Sequence, residues 1–181
     1  MNYLTVSKNY GKIFSNLVLL ILLVLPSYLL IFRKIPYIPI LDDVNLLIHE
    51  AGHVVFNPFG EFISFLGGSL MQLIIPGLFL TYFLMREDSF AVFFCLFWIG
   101  ENLINISYYL ADARNQVLPL VGGGRHDWTY MLSKVNLLNR AKFLGEIVFW
   151  IGGILLILSL VFTTLNLILS LVNYFKPKGV G

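Results

Sequence analysis

Long apolar runs separated by short polar segments dominate this chain. Four of these runs approach or exceed the roughly 20 residues that a helix needs to cross a bilayer. They predict membrane-spanning helices at about residues 13–32, 62–85, 89–111 and 143–174. We therefore predict an all-α, polytopic transmembrane bundle that forms a single integral membrane domain over residues 1–181.

The first run has two interpretations. Lysines precede it, as they precede the apolar core of a secretory signal peptide. No small-residue cleavage site follows, however, and Arg33-Lys34 closes the run as basic residues do at a membrane edge. We expect an uncleaved anchor.

A fifth, shorter segment is predicted to be a helix from about Leu41 to Phe56. Pro36 and Pro39 exclude a regular helix before it, and Asn57-Pro58 ends it. This length is short for a straight span, so the helix either crosses only partly or is re-entrant.

Polar side chains of the short helix share one face at helical spacing: Asp42, Asn45, His49 and His53. Asn45 precedes His49 by about one helical turn and Asp42 precedes it by about two. Either they hold an imidazole in place, or the acid simply favours the positive end of the helix dipole.

The composition is typical of a membrane protein and argues against a soluble domain or a nucleic-acid-binding protein. Hydrophobic residues make up 58% of the chain and charged residues 12%, whereas soluble domains carry about 25% charge. The net charge of +2 comes from small basic groups beside apolar runs, which indicate membrane-edge anchors rather than a nucleic-acid surface. We expect a multi-pass protein, with a bacterial cytoplasmic membrane as the working location.

The sequence His49-Glu50-Ala51-Gly52-His53 has the pattern His-Glu-x-x-His. Histidines four residues apart on a helix can bind one metal ion, and Zn²⁺ suits imidazole ligands. Glu50, directly after the first histidine, can take a proton from a zinc-bound water. The alternative is a helix with two satisfied histidines and a surface glutamate.

Catalytic zinc needs a third protein ligand. His126 offers a further nitrogen, and Asp127 and Asp112 are its rivals. The glycine run before His126 allows the loop to bring the pair toward the motif. Asp127 also fits a plain N-cap of a short helix at about residues 127–138, and His126 an exposed histidine.

The third predicted span carries a polar stripe, with Glu101, Asn105, Tyr108 and Asp112 at helical spacing and Asn102 and Tyr109 beside them. A glutamate inside an apolar span is costly and indicates a group facing the bundle. The stripe either contributes to the site, where Glu101 is a weaker candidate ligand, or forms a buried structural network.

The chain resembles the intramembrane zinc metalloproteases of the site-2 protease type over roughly residues 41–135. His49, Glu50 and His53 match the zincin motif of that family, and Gly67-Gly68-Ser69 looks like its small-residue motif. Asn102 and Asn105, followed by Pro119 and Asp127, look like a variant of its asparagine-rich third segment. The family takes its third ligand from an Asn-Pro-x-Asp-Gly setting that this chain lacks, although the position of Asp127 fits it.

The resemblance implies a membrane-embedded zinc metalloprotease that hydrolyses peptide bonds of membrane or membrane-proximal substrates. It implies Glu50 as general base, and Asn102 or Asn105 as contacts to the substrate or its oxyanion. An accessory membrane partner or an oligomer would help select substrates, because no regulatory soluble domain is evident. Two alternatives stay open: a non-proteolytic zinc-binding sensor or structural protein, and a zinc hydrolase of a lipid-linked substrate.

Overall fold

A computed structural model describes residues 3–35, 37–119 and 124–176. The described part is helical throughout, with irregular connections. The helices are α1 (Tyr3–Ile31), α2 (Leu41–Phe56), α3 (Glu61–Met85), α4 (Ser89–Asp112), α5 (Asp127–Lys134) and α6 (Ala141–Phe175).

Four segments are long and apolar enough to cross a membrane: Tyr10–Ile31, Glu61–Met85, Ser89–Asp112 and Leu138–Phe175. This confirms the prediction of an all-helical chain with four such helices, which is compatible with a multi-pass membrane protein. The helix carrying the His-Glu-x-x-His motif has the predicted bounds. Helix α5 is shorter than expected, ending at Lys134. Gly122 and Gly123, on which the freedom of the preceding loop was argued, lie outside the described residues.

Helices α4 and α6 pack in opposite directions through glycines. A β-carbon on Gly100 would lie 2.9 Å from the carbonyl oxygen of Gly152, and one on Gly145 would lie 2.8 Å from that of Ser107. Small residues at such crossings let helix backbones approach closely. Close packing matters in a membrane because the hydrophobic effect does not drive helices together in lipid.

Helices α1 and α6 also run in opposite directions. Arg33, just after α1, donates to Glu146 at the start of α6 with an Nη1–Oε1 distance of 2.9 Å. At the other end, the hydroxyls of Tyr10 and Tyr174 are hydrogen bonded. Helix α1 is therefore parallel to α4.

A tight turn at residues 86–88 joins α3 to α4, and the two helices pack in opposite directions. It follows that α1 and α3 are antiparallel, so α1 ends and α3 begins at the same end of the bundle. Helix α2, which connects them, crosses α3 at Gly52 and Gly67, where a β-carbon on Gly67 would lie 2.7 Å from the carbonyl oxygen of Gly52.

The segment before α2 packs into the bundle. Ile35, Ile38 and Leu41 lie against the buried core. That core comprises Leu19, Leu23, Leu30, Phe97, Ile104, Phe149 and Leu156. The start of α2 thus packs against the bundle core, and the helix presents its polar face to α3 and α4, while Val44, Leu47 and Val54 are exposed on its outer side.

Candidate metal centre

Helix α2 places both histidines of the motif side by side. Four residues make slightly more than one helical turn, so the rings of His49 and His53 lie on one face, edge to face, with centroids 4.7 Å apart. Ligand atoms of His49, Glu50 and His53 lie within 4.8 Å of one another, which makes this a group able to hold a metal ion.

The Asp127 carboxylate reaches both imidazoles. Its Oδ2 lies 2.9 Å from Nε2 of His49 and 3.3 Å from Nε2 of His53. Asp127 is the first residue of α5, 74 positions beyond His53, and its side chain is buried. Of the four candidate third ligands considered from the sequence (His126, Asp127, Asp112 and Glu101), Asp127 is the one whose side chain approaches both histidines.

The remaining ring nitrogens are held by oxygen acceptors. Nδ1 of His49 lies 3.1 Å from Oε1 of Gln72, and Nδ1 of His53 lies 2.8 Å from the carbonyl oxygen of Ser64. Both acceptors belong to α3. An oxygen acceptor holds a proton on Nδ1, so a metal ion would bind each ring through Nε2, the atom that faces Asp127. In the arrangement described, Nε2 of His49 is hydrogen bonded to that carboxylate.

A cavity of about 670 Å³ opens in front of this cluster. Glu50, which is exposed, lines it beside His49, His53 and Asp127. Apolar and aromatic side chains line much of the remainder: Tyr37, Leu46, Phe65, Tyr108, Tyr109, Leu118 and Pro119. The carboxylate of Glu50 and the two histidines of the motif therefore border the same cavity.

Asp42 and Asn45 hold α2 to α4 instead of orienting an imidazole. Asn105 donates to Oδ1 of Asp42 at 2.7 Å, and the Asn45 amide donates to Oε2 of Glu101 at 2.7 Å. Trp98 completes the chain by donating from Nε1 to Oδ1 of Asn45 at 2.7 Å. The Nδ1 atoms of both imidazoles are bonded to oxygens of α3 instead, so of the two alternatives left open by the sequence, orientation of an imidazole by Asp42 or Asn45 is not observed.

The polar stripe of α4 is therefore divided between two roles. Glu101 is buried in the contact with α2 and does not line the cavity. Asn102 is also fully buried, and its amide donates to the carbonyl oxygen of Trp98 within α4. Asn105 does line the cavity, while one of its N–H groups is committed to Asp42.

His126 and Asp112 lie behind the cluster. The His126 ring is buried and stacks on Tyr109 at a centroid distance of 4.1 Å, and its Nδ1 accepts the N–H of Thr129 at the start of α5. Its Nε2 lies 3.8 Å from Asp112, whose carboxylate accepts the N–H groups of Val117 and Leu118. Neither side chain joins His49 and His53 in the arrangement described.

Asp127 and His126, the adjacent candidate ligands, differ in charge state. Burial raises the pKa of Asp127, but the hydrogen bonds to His49 and His53 outweigh it and hold that pKa below the usual value. Burial lowers the pKa of His126. The carboxylate thus enters the cluster as an anion, which is the form that binds a metal.

Three contributors were not identified as site residues from the sequence. Gln72 was assigned to helix packing, although a polar side chain in an apolar span was a usable signal. Tyr109 was noted only beside the stripe. The third is the main-chain carbonyl of Ser64, for which no side-chain signal exists.

Comparison of the chain with models of protein families, with characterised proteins and with solved structures finds no match in any of the three.

Proposed function

We propose that this chain is a membrane-embedded zinc metalloprotease that hydrolyses peptide bonds of membrane or membrane-proximal substrates. The observation that carries the proposal is the arrival of the Asp127 carboxylate at Nε2 of both His49 and His53, at 2.9 and 3.3 Å. A tetrahedral Zn²⁺ with ligands at about 2.0–2.1 Å separates neighbouring ligand atoms by about 3.3 Å. The separation at His53 matches that value, and the separation at His49 is shorter, at a hydrogen-bond length.

The donor set fits zinc in its chemistry as well. Two imidazole nitrogens and one carboxylate oxygen are a known three-ligand set for catalytic zinc, which leaves a fourth position open. The Gln72 and Ser64 oxygens act as the outer acceptors that such histidines need. Zn²⁺ bound there would polarise the scissile carbonyl and make an attacking water more acidic.

The protein side chains then supply the proton transfers. Glu50 lines the cavity next to the cluster and forms no ion pair with any residue that the structure describes, so its carboxylate can accept a proton from the attacking water. Protonated Glu50 can return that proton to the nitrogen of the leaving amine. The apolar walls of the cavity restrict bulk water and favour an apolar stretch of peptide.

In this proposal α2 is re-entrant, and it places the site where a substrate can reach it from within the membrane. Helices α1 and α3 run in opposite directions, so the chain between them returns to the side from which it entered. Ile35 and Ile38 pack into the bundle core before α2 begins. A helix that starts at depth and returns would bring His49 and His53 to a position accessible to a membrane substrate.

The decisive test compares wild type with Glu50→Gln, using purified full-length protein in lipid nanodiscs. Zinc content is measured by elemental analysis, and cleavage is followed on a panel of model transmembrane peptides by mass spectrometry. We expect about one zinc per chain in both proteins and cleavage by wild type alone, with a loss of at least 10²-fold in the variant. Full zinc occupancy without cleavage of any peptide would instead favour a sensor or structural protein, and equal cleavage by both would exclude Glu50 as the base.

A further inference from the structure

The Tyr109 hydroxyl contacts Asp127 from the far side of the cluster. Its oxygen accepts the main-chain N–H of Asp127 at 3.2 Å, across 18 positions of sequence. Tyr109 belongs to the end of α4, and it lines the same cavity as His49 and Asp127. It therefore links the residue that would complete the metal site to a long helix of the bundle.

Asp127 depends on such a contact because it lies at the start of a short helix that follows a long connection. It opens an eight-residue helix after a connection that runs from residue 113 to residue 126. A helix this short has little stability of its own and depends on tertiary contacts. Thr129 donates to the carbonyl oxygen of Ala113, and Tyr130 donates to Glu61 at 2.8 Å, which hold the helix in place. The contact from Tyr109 is the one among these that reaches Asp127 itself.

The ring of Tyr109 is fixed on two sides. His126 stacks beneath it with planes 27° apart, and the His49 ring meets it edge-on at a centroid distance of 6.0 Å. His126 is in turn buried against Asp112. The phenol oxygen is consequently held in place, and only its hydroxyl proton is free to rotate.

We propose that Tyr109 is the positioning residue for the third metal ligand, holding Asp127 so that Oδ2 faces both histidines. Its oxygen accepts the main-chain N–H of Asp127 and thereby fixes the backbone from which that carboxylate extends. This inference rests on the proposed metal centre. It gives Tyr109, His126 and Asp112 a supporting role other than binding the metal. Outer contacts of this kind typically change metal affinity by 10- to 100-fold.

The test is a zinc-affinity measurement on the full chain in nanodiscs, by competition with a chromophoric chelator, together with the absorption spectrum of the Co²⁺-loaded protein. Tyr109→Phe retains the ring and its stacking on His126 while removing the hydroxyl. Tyr108→Phe is the matched control, because Tyr108 lines the same cavity but its ring packs on Phe149. The same tyrosine change is also made in an Asp127→Ala background.

We expect Tyr109→Phe to weaken zinc binding by 10- to 100-fold and to alter the Co²⁺ ligand-field bands, while Tyr108→Phe leaves both unchanged. In the Asp127→Ala background the tyrosine change should have no further effect, since the two act as one unit. Wild-type affinity in Tyr109→Phe would overturn the inference, and so would an equal loss in both backgrounds, because that would reflect general loosening. Failure of wild type to bind zinc would overturn the metal centre itself and the role of Tyr109 with it.

Discussion

Gly68 packs against the imidazole of His49 so closely that a β-carbon on Gly68 would lie 2.6 Å from Nε2. The glycine therefore creates the space in which the ring stands between Gln72 and Asp127. A methyl group there would have to displace the ring from one of these partners.

The first prediction follows from this contact. Gly68→Ala should weaken zinc binding by at least about tenfold, because the displaced His49 ring loses its alignment. Helix stability should not fall through the backbone, since Ala is a better helix former than Gly by about 0.5–1 kcal/mol. The measurement is zinc affinity by chelator competition, with thermal unfolding in parallel.

Gly77→Ala is the control for that experiment. Gly77 lies on the same helix, and an added β-carbon there would meet nothing within 4 Å. Zinc affinity that is equal in the two variants would contradict the packing argument.

The second prediction separates the rival ligands. Asp127→Ala should lose most of the bound zinc, because it removes the one oxygen that faces both histidines. Asp112→Ala should retain zinc, since that carboxylate is bonded to the N–H groups of the following loop. His126→Ala should fall between them, because it removes only the support beneath Tyr109. Elemental analysis after gel filtration gives the zinc-to-protein ratio, and the reverse order would exclude Asp127 as the ligand.

The third prediction concerns the contact between α2 and α4. Glu101→Leu leaves the buried amide of Asn45 without its acceptor, and an unsatisfied buried donor costs about 1–3 kcal/mol. Glu101→Gln keeps a carbonyl oxygen at that position and should be milder. Thermal unfolding in detergent should therefore rank wild type above Gln and Gln above Leu. A leucine variant as stable as the glutamine variant would show that this hydrogen bond contributes little.

The fourth prediction tests the path of α2 relative to the membrane. Cysteines introduced at Lys34 and Gly60, in a Cys95→Ser background, should react with an impermeant maleimide from the same side of sealed vesicles. A cysteine at Glu87, in the turn between α3 and α4, should react only from the other side. Labelling of residues 34 and 60 from opposite sides would show that α2 crosses the membrane.

Periodicity and apolar length were sufficient to locate the helices. The predicted bounds of the four long helices differ from the observed ones by a few residues, apart from the start of α1 at Tyr3. Helix α2 was placed at its observed bounds because prolines mark both of its flanks. These are local signals, and local sequence carries them in full.

The hydrogen-bond partners of the polar side chains were harder to predict from the sequence. Asp42 and Asn45 share a helical face with His49, and spacing alone left open whether they orient an imidazole or the acid favours the helix dipole. In the folded chain α2 lies between two helices, so the near end of its polar face meets α4 and the far end meets α3. Which end meets which helix depends on how α2 crosses its neighbours, and no single helix encodes that.

What the sequence by itself determined is the helical, apolar character of the chain and the pairing of His49, Glu50 and His53 on one turn of helix, because both depend on residues close together along the chain. Only the tertiary structure showed which of His126 and Asp127 faces the two histidines of the motif. Adjacent residues at the start of a helix point in different directions, and the docking of α5 turned Asp127 toward the histidines and His126 onto Tyr109. The orientation of the Asp127 side chain depends on contacts with residues more than 70 positions away. The distance along the chain between such residues does not reveal how their side chains are oriented.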